Sequence, residues 1–221
     1  MVDIFDEVDE DLRAERVQNL FKRYGGTMLA AAVLVVVGVG AWQGWRWWEV
    51  RQDGAAAASY LAEMSTADAL QPGDDKARAA AAGSAFAQMA ARAPEGYATL
   101  ARLRAAALMA DGGDLAAASK LWDQVAGDGG ADRLLRDLAS LNWVQHQVDR
   151  GDPAAVRARL GPLTAADNPW RPLALEAEGL LDLRTGETAA AKEVFQRLAQ
   201  DPAAPDGVRG RANGLLNRLG G

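Results

Sequence analysis

The chain has 221 residues, enough for one packed domain of ordinary size with an appendage but too few for two full enzyme domains. Hydrophobic residues make up 49% of it and aromatic residues only 6%, and because alanine and leucine supply much of the apolar share, helix is favoured over sheet. A net charge of -6 argues against nucleic-acid binding, and the absence of cysteine excludes disulfides, thiolate catalysis and cysteine-based zinc sites.

Residues 1–24 form an N-terminal arm that is acidic in its first half and basic in its second. Apolar residues recur in it at roughly helical spacing, which predicts a short amphipathic helix; a solvated, partly ordered tail is the alternative. Acids before bases match the helix dipole, and the bases would lie where anionic lipid headgroups are found. We expect the arm to reach the membrane surface.

An uncharged run of 21 residues follows the arm, from Gly25 to Trp45. As a helix it would span about 31 Å, which matches the roughly 30 Å hydrocarbon core of a bilayer. A buried core helix and a cleaved signal peptide are the alternatives, but an acidic leader before the run and bulky tryptophans after it disfavour cleavage. The sequence therefore predicts a transmembrane anchor helix over residues 25–48.

Interfacial side chains bracket this run at both ends. Four of the seven tryptophans lie in the stretch AWQGWRWW, residues 41–48. Indole rings favour the headgroup region because the ring is apolar while its N–H needs a polar partner, so we interpret this stretch as a collar where the helix leaves the bilayer. The predicted membrane-interface residues are Lys22, Arg23, Tyr24, Trp42, Trp45, Trp47 and Trp48.

Basic residues on either side of the run predict its orientation. Arg13, Arg16, Lys22 and Arg23 precede it, whereas only two arginines follow it within a similar distance. Because lysine and arginine concentrate on the cytoplasmic side of a span, the arm is expected in the cytoplasm. Residues 49–221 would then lie across the membrane, which in a bacterium is the periplasm.

The region after the anchor is internally repetitive. Three segments begin with glycine followed by an acid, at Gly113, Gly151 and Gly186, and each has a large apolar residue nine positions later. With one further residue, the large residues are spaced 36, 38 and 35 positions apart; they are Phe86, Trp122, Leu160 and Phe195. This period is typical of helix-turn-helix units of the tetratricopeptide type, which bury their faces only by stacking.

We therefore predict an all-α fold, with a single N-terminal transmembrane helix followed by a tetratricopeptide-like α-solenoid of helical hairpins. The repeat domain, residues 49–221, is expected to contain repeats at about 55–94, 95–130, 131–169 and 170–204 and a capping helix over 205–221.

Small residues in the last repeat are predicted to set the helix packing. Gly186 is expected to end the first helix in a left-handed conformation, while Gly179 and Ala191 let the paired helices approach around Phe195. Glu178 and Asp182 stand where the tetratricopeptide pattern expects large apolar residues. These departures prevent the transfer of that family's groove-lining positions to this chain.

The sequence offers no candidate for catalysis. Its one histidine, His146, has no cysteine or second histidine to join it and is read as a packing or surface residue. The P-loop, GxGxxG and GxSxG motifs are absent, so nucleotide and hydrolase readings lack a starting residue. We expect a non-enzyme with no cofactor, no metal and no small-molecule substrate.

Taken together, the arm beginning MVDIFDEVDEDLR, the KRY before the span, the tryptophan-rich exit and the alanine-rich repeats resemble the YfgM-like family. This family is the ancillary subunit of the bacterial SecYEG translocon, and the resemblance covers nearly the whole chain. It implies a single-pass inner-membrane protein whose periplasmic repeat domain associates with the translocon and with a membrane-anchored chaperone of the peptidyl-prolyl isomerase type. It also implies a role in handing exported proteins to periplasmic chaperones.

Without the resemblance, the residues support a weaker statement. A repeat domain tethered to the membrane meets other membrane components at high local concentration, so modest affinity suffices for an adaptor or holding chaperone. The alternative is a tethered scaffold of the same architecture that serves envelope biogenesis or cell division.

Overall fold

The computed structural model describes residues 4–69 and 76–220, with side chains from Tyr24 onward. Within these ranges the chain contains nine α-helices, one short 3-10 helix and no strand, which confirms the predicted all-α fold class. The helices are α1 Ile4–Asp68, α2 Lys76–Ala90, α3 Glu95–Asp111, α4 Leu115–Ala126, α5 Arg133–Gln147, α6 Pro153–Leu160, α7 Arg171–Thr185, α8 Thr188–Gln200 and α9 Asp206–Arg218, and the 3-10 helix Gly161–Thr164 follows α6.

The chain divides into two compact units, Met1–Gly54 and Ala55–Gly221. The N-terminal unit consists of the first part of α1. The C-terminal unit begins with the last part of α1 and continues through α9.

Within the N-terminal unit, α1 carries the uncharged run. This helix is long and apolar enough to cross a membrane, and none of the residues in its most apolar window is buried. Leu34 is 72% exposed and Val36 71% exposed, although a core helix of a soluble protein would bury at least one side of such a stretch. The exposure of this run on all sides is what a lipid-facing helix requires.

In the C-terminal unit, each helix from α2 to α8 packs against the next one along the chain. The buried side chains form four clusters in chain order, built from the end of α1 with α2 and α3, from α3 to α5, from α5 to α7, and from α7 to α9. Neighbouring clusters share a helix, since α3, α5 and α7 each contribute buried residues to two of them. The core is therefore continuous along the repeats.

Acidic caps explain where several of these helices begin. The side chains of Asp114, Asp132 and Asp152 accept hydrogen bonds from backbone N–H groups in the first turns of α4, α5 and α6, at 3.0, 2.7 and 3.1 Å. Each bond satisfies a donor that has no partner inside the helix. In two of the three repeated segments, the acid that follows the glycine therefore caps the N-terminus of a helix; these acids are Asp114 and Asp152.

Candidate interaction surfaces

The four large residues at the repeat period lie in the interior of the C-terminal unit. Phe86 and Phe195 are 0% exposed, and Trp122 and Leu160 are 1% exposed. Each belongs to a different one of the four clusters, so every cluster contains one of them. They hold the repeats together and leave the outer faces free for other contacts.

Close packing in the last repeat depends on small residues. A Cβ placed on Gly179 would lie 2.6 Å from ring atoms of Phe195, and Ala191 of α8 is fully buried. Gly186 ends α7 with a φ of 84°, and the backbone N–H of Glu187 then donates to the carbonyl of Asp182 at 2.7 Å. This left-handed cap reverses the chain between α7 and α8.

The other two glycines that begin repeated segments have different local roles. Gly113 takes a φ of 91° between α3 and α4, where a residue with a side chain would be strained. Gly151 is not among the glycines with positive φ; a Cβ there would lie 2.9 Å from the Cβ of Gln147. Its carbonyl also accepts a hydrogen bond from Arg184 at 2.7 Å, so this position needs space and not an unusual conformation.

Ion pairs one repeat apart connect successive repeats, and the sequence reading did not identify them. Three arginines pair with an acid 35 or 36 positions before them: Arg104 with Asp68 at 2.8 Å, Arg159 with Asp123 at 2.6 Å, and Arg211 with Glu176 at 2.5 Å. A search for opposite charges one period apart would have found them. These three ion pairs lie at the surface and connect neighbouring repeats there, in addition to the apolar contacts of the core.

Arg159 makes a second contact in addition to its ion pair. Its guanidinium lies 4.1 Å above the centroid of the Trp143 ring, so α6 is joined to α4 through Asp123 and to α5 through the indole. A planar guanidinium can stack on an aromatic face while its edge donates hydrogen bonds. This single side chain therefore links three helices.

Asp182 is a buried acid where the tetratricopeptide pattern has a large apolar residue. It is 4% exposed, and its Oδ1 lies 3.1 Å from a guanidinium nitrogen of Arg157 on α6. Burial raises the pKa of Asp182, the charge of Arg157 opposes that change, and the charge of Glu187 adds to it. Burial likewise raises the pKa of Glu178, and Asp182 adds to that shift.

His146 occupies a half-buried packing position. Its ring centroid lies 4.8 Å from that of Trp122, and its Nδ1 lies 2.9 Å from the backbone carbonyl of Asn142. In the described part of the chain, no group of three histidine or acidic side chains is arranged to hold a metal ion.

The tryptophan collar surrounds α1 on several sides. Its rings are 59%, 66%, 62% and 51% exposed for Trp42, Trp45, Trp47 and Trp48, and Tyr24 is 47% exposed; the side chains of Lys22 and Arg23 fall outside the described ones. Each tryptophan of the collar takes part in one of three ring contacts: Trp42 with Arg46 at 5.2 Å, Trp47 with Arg51 just beyond the collar at 5.1 Å, and Trp45 with Trp48 at 5.8 Å. Since residues advance by about 100° around a helix, these contacts face three different directions.

An apolar, exposed helix and a series of helical pairs with one large buried residue per period define a helical-repeat protein with a candidate membrane anchor. The sequence matches the tetratricopeptide repeat-like domain over residues 18–211, and the chain belongs to this family. The match also supports the repeat architecture predicted for residues after the anchor.

Among curated proteins, the chain is similar to the "Ancillary SecYEG translocon subunit" of Escherichia coli (strain K12). The two are 26% identical over 197 residues, which covers 89% of this chain and 90% of that protein. The predicted resemblance to the YfgM-like family is thereby confirmed. No solved structure matches the chain.

Proposed function

We propose that the chain is an inner-membrane-anchored periplasmic adaptor that associates with the SecYEG translocon and helps hand exported proteins to periplasmic chaperones. The observation that carries this proposal is the similarity to the translocon subunit of E. coli, which extends over 89% of the chain. A likeness confined to the repeats would support only a shared scaffold, whereas this one is long enough to include the anchor.

Features of the repeat domain support binding in preference to catalysis. The four large residues at the repeat period are buried in the core. Three leucines remain partly exposed, at 66%, 37% and 44% for Leu61, Leu100 and Leu134. Helical-repeat proteins use the extended surface that their stacked repeats create to bind partners, and exposed leucines on such a surface are available for contact. The role proposed is therefore non-enzymatic, with a membrane-anchored chaperone of the peptidyl-prolyl isomerase type as a second partner.

A membrane anchor makes weak binding by such a surface effective. Confinement to the bilayer raises the concentration of the repeat domain around other membrane proteins, so each contact with the translocon needs little affinity of its own. Weakly bound partners also dissociate quickly, and a protein that hands exported proteins to a chaperone needs such rapid dissociation.

Cysteine labelling tests the proposed orientation, because the chain has no native cysteine. Ala203 is exposed and Ala204 beside it is 3% exposed, so the two positions form a matched pair. We expect a membrane-impermeant maleimide to label Ala203→Cys in intact cells and Ala204→Cys only after denaturation. Labelling of Ala203→Cys only after lysis would place the repeats in the cytoplasm and contradict the proposal.

Site-specific crosslinking tests the partner. A photo-crosslinking amino acid at Leu100 or Leu134 is expected to capture translocon subunits or the membrane-anchored chaperone, while the same group at the buried Leu181 should capture neither. Consistent capture of cell-division or envelope-assembly proteins in their place would favour the tethered scaffold.

A further inference from the structure

Just after the uncharged run, α1 carries one positively charged residue, Arg46, and one negatively charged residue, Glu49. In the part of the chain that the structure describes, neither side chain takes part in an ion pair with any residue. The guanidinium of Arg46 instead lies 5.2 Å from the centroid of the Trp42 ring, one turn back toward the span. A guanidinium stacked by its face keeps its N–H edge free for another acceptor.

The two residues share one side of α1. They are three positions apart, so they lie about 60° apart around the axis and about 4.5 Å apart along it. Glu49 is exposed, and side chains on a helix lean toward its N-terminus, so the carboxylate leans toward Arg46. A ligand bound here would meet a positive charge first and a negative charge just farther from the span.

Their depth matches the headgroup layer of a bilayer. Arg46 follows the uncharged run directly, and Glu49 lies about 6 Å beyond the end of that run. Since a bilayer of about 40–45 Å contains a hydrocarbon core of about 30 Å, each headgroup layer is about 5–8 Å thick. The backbone positions of both residues therefore fall inside this layer, where a long arginine side chain can extend its guanidinium toward the polar groups.

On the basis of the proposed membrane anchoring, we infer that Arg46 and Glu49 bind the headgroup of a phospholipid with a primary amine, a phosphatidylethanolamine. The phosphate accepts hydrogen bonds from the Arg46 guanidinium, and the ammonium group donates to the Glu49 carboxylate. A choline headgroup has no N–H to donate, and the glycerol of phosphatidylglycerol offers only neutral hydroxyls, without the positive charge that pairs with the Glu49 carboxylate. The order of charges along the helix thus selects one lipid class.

The opposite side of the collar provides a matched control. Arg51 lies 5.1 Å from the ring of Trp47, the same arrangement as Arg46 with Trp42. No acid stands three or four positions from Arg51 in the sequence. Arg51 also lies about 9 Å beyond the uncharged run, outside the headgroup layer, so this second arginine should contribute no headgroup preference.

Native mass spectrometry of the full chain in detergent, titrated with lipids of identical acyl chains, tests the inference. We expect phosphatidylethanolamine to bind roughly three- to fivefold more tightly than phosphatidylcholine or phosphatidylglycerol. Glu49→Gln should remove this preference, and Arg46→Gln should weaken the binding of phosphatidylethanolamine. Arg51→Gln and Asp53→Asn should retain the preference, because Arg51 lacks an acid beside it and Asp53 lies about 12 Å beyond the uncharged run.

Equal binding of the three lipids by the unmodified chain would overturn the inference, as would an equal loss of preference in Glu49→Gln and Asp53→Asn. Resistance to alkaline extraction from membranes, measured on the same chain, separates the two proposals. An extracted chain contradicts the anchoring itself, whereas a retained chain without lipid preference contradicts only the headgroup site.

Discussion

Gly179 permits α7 and α8 to approach closely, because no Cβ separates its backbone from the ring of Phe195. We expect Gly179→Ala to lower the free energy of unfolding by about 1–3 kcal/mol, since an added Cβ at 2.6 Å from that ring forces the helices apart. Urea unfolding of the full chain in detergent, followed by circular dichroism, measures this change.

Gly210 in α9 is the matched control for that substitution. A Cβ on Gly210 would meet nothing within 4 Å, so Gly210→Ala should leave the free energy of unfolding unchanged or raise it by about 0.5–1 kcal/mol. Equal losses in the two variants would mean that close helix packing is not the reason for glycine at 179.

Asp182 makes the stability of the last repeats depend on pH. Because burial raises its pKa, the folded chain holds this proton to a higher pH than the unfolded chain does. The stabilisation is fully present below the ordinary aspartate pKa of 3.8 and is lost as the pH rises through the folded value. Folding therefore favours the neutral carboxylic acid over the charged carboxylate, and the chain loses this stabilisation at pH values above the folded pKa.

Asp182→Asn removes this titration and leaves Arg157 its contact with Glu187 at 3.0 Å. We expect the melting temperature of the variant, relative to the unmodified chain, to increase between pH about 4 and about 7. Thermal unfolding at both pH values checks this, with the exposed Asp167→Asn as a control that should show no such trend. A relative melting temperature that falls with pH would show that the pair with Arg157 outweighs burial.

At the scale of helices, Arg159 is the clearest connection between repeats. Arg159→Ala should lower the free energy of unfolding by about 1–2 kcal/mol, because both the stacking on Trp143 and the pair with Asp123 are lost. Arg159→Lys should recover less than half of that loss, since an ammonium group has no planar face to stack. Urea unfolding of the three proteins measures both differences.

Arg209 serves as the control for this connection, because its pair with Asp206 lies within α9 and links no other helix. Arg209→Ala should change the free energy of unfolding by less than about 0.5 kcal/mol. If Arg159→Ala changed stability as little, the contact between the three helices would contribute nothing measurable.

The ends of the elements were partly predictable from local chemistry. Asp152 and Pro153 begin α6 as a cap and a first-turn proline, and Pro162 prevents the helix from continuing unchanged. The repeat period alone would give a longer second helix in this repeat. The shortening comes from that one proline, whereas the following 3-10 helix depends on packing around the buried Leu163.

For the molecule as a whole, the sequence was sufficient to predict the fold class and the order of anchor and repeats. A large residue recurs at the same place in each period, and the uncharged run matches the thickness of a bilayer. The connections between repeats were not predictable in this way. The contact of Arg159 with Trp143 and Asp123 depends on how three helices are rotated about their axes, and no single segment encodes that rotation.

The departure at Asp182 was visible in the sequence, but its partner was not. The repeat pattern marks the acid as unusual because that position normally holds a large apolar side chain. Arg157 comes from α6 in the preceding repeat, 25 positions earlier in the chain, and only the packing of α6 against α7 brings the two charges to 3.1 Å. Side-chain pairs of this kind require the tertiary structure.

Almost half of the buried apolar side chains in the described part of the chain are alanines. Each alanine removes little apolar surface from water and gives up no side-chain rotamer freedom on folding. Because the heat capacity change of unfolding grows with the apolar area exposed, this core should give a smaller change per residue than the usual 12–15 cal/mol/K, by about a few cal/mol/K. The stability curve of the repeats is then broad and shallow, so their stability varies little over a wide range of temperature.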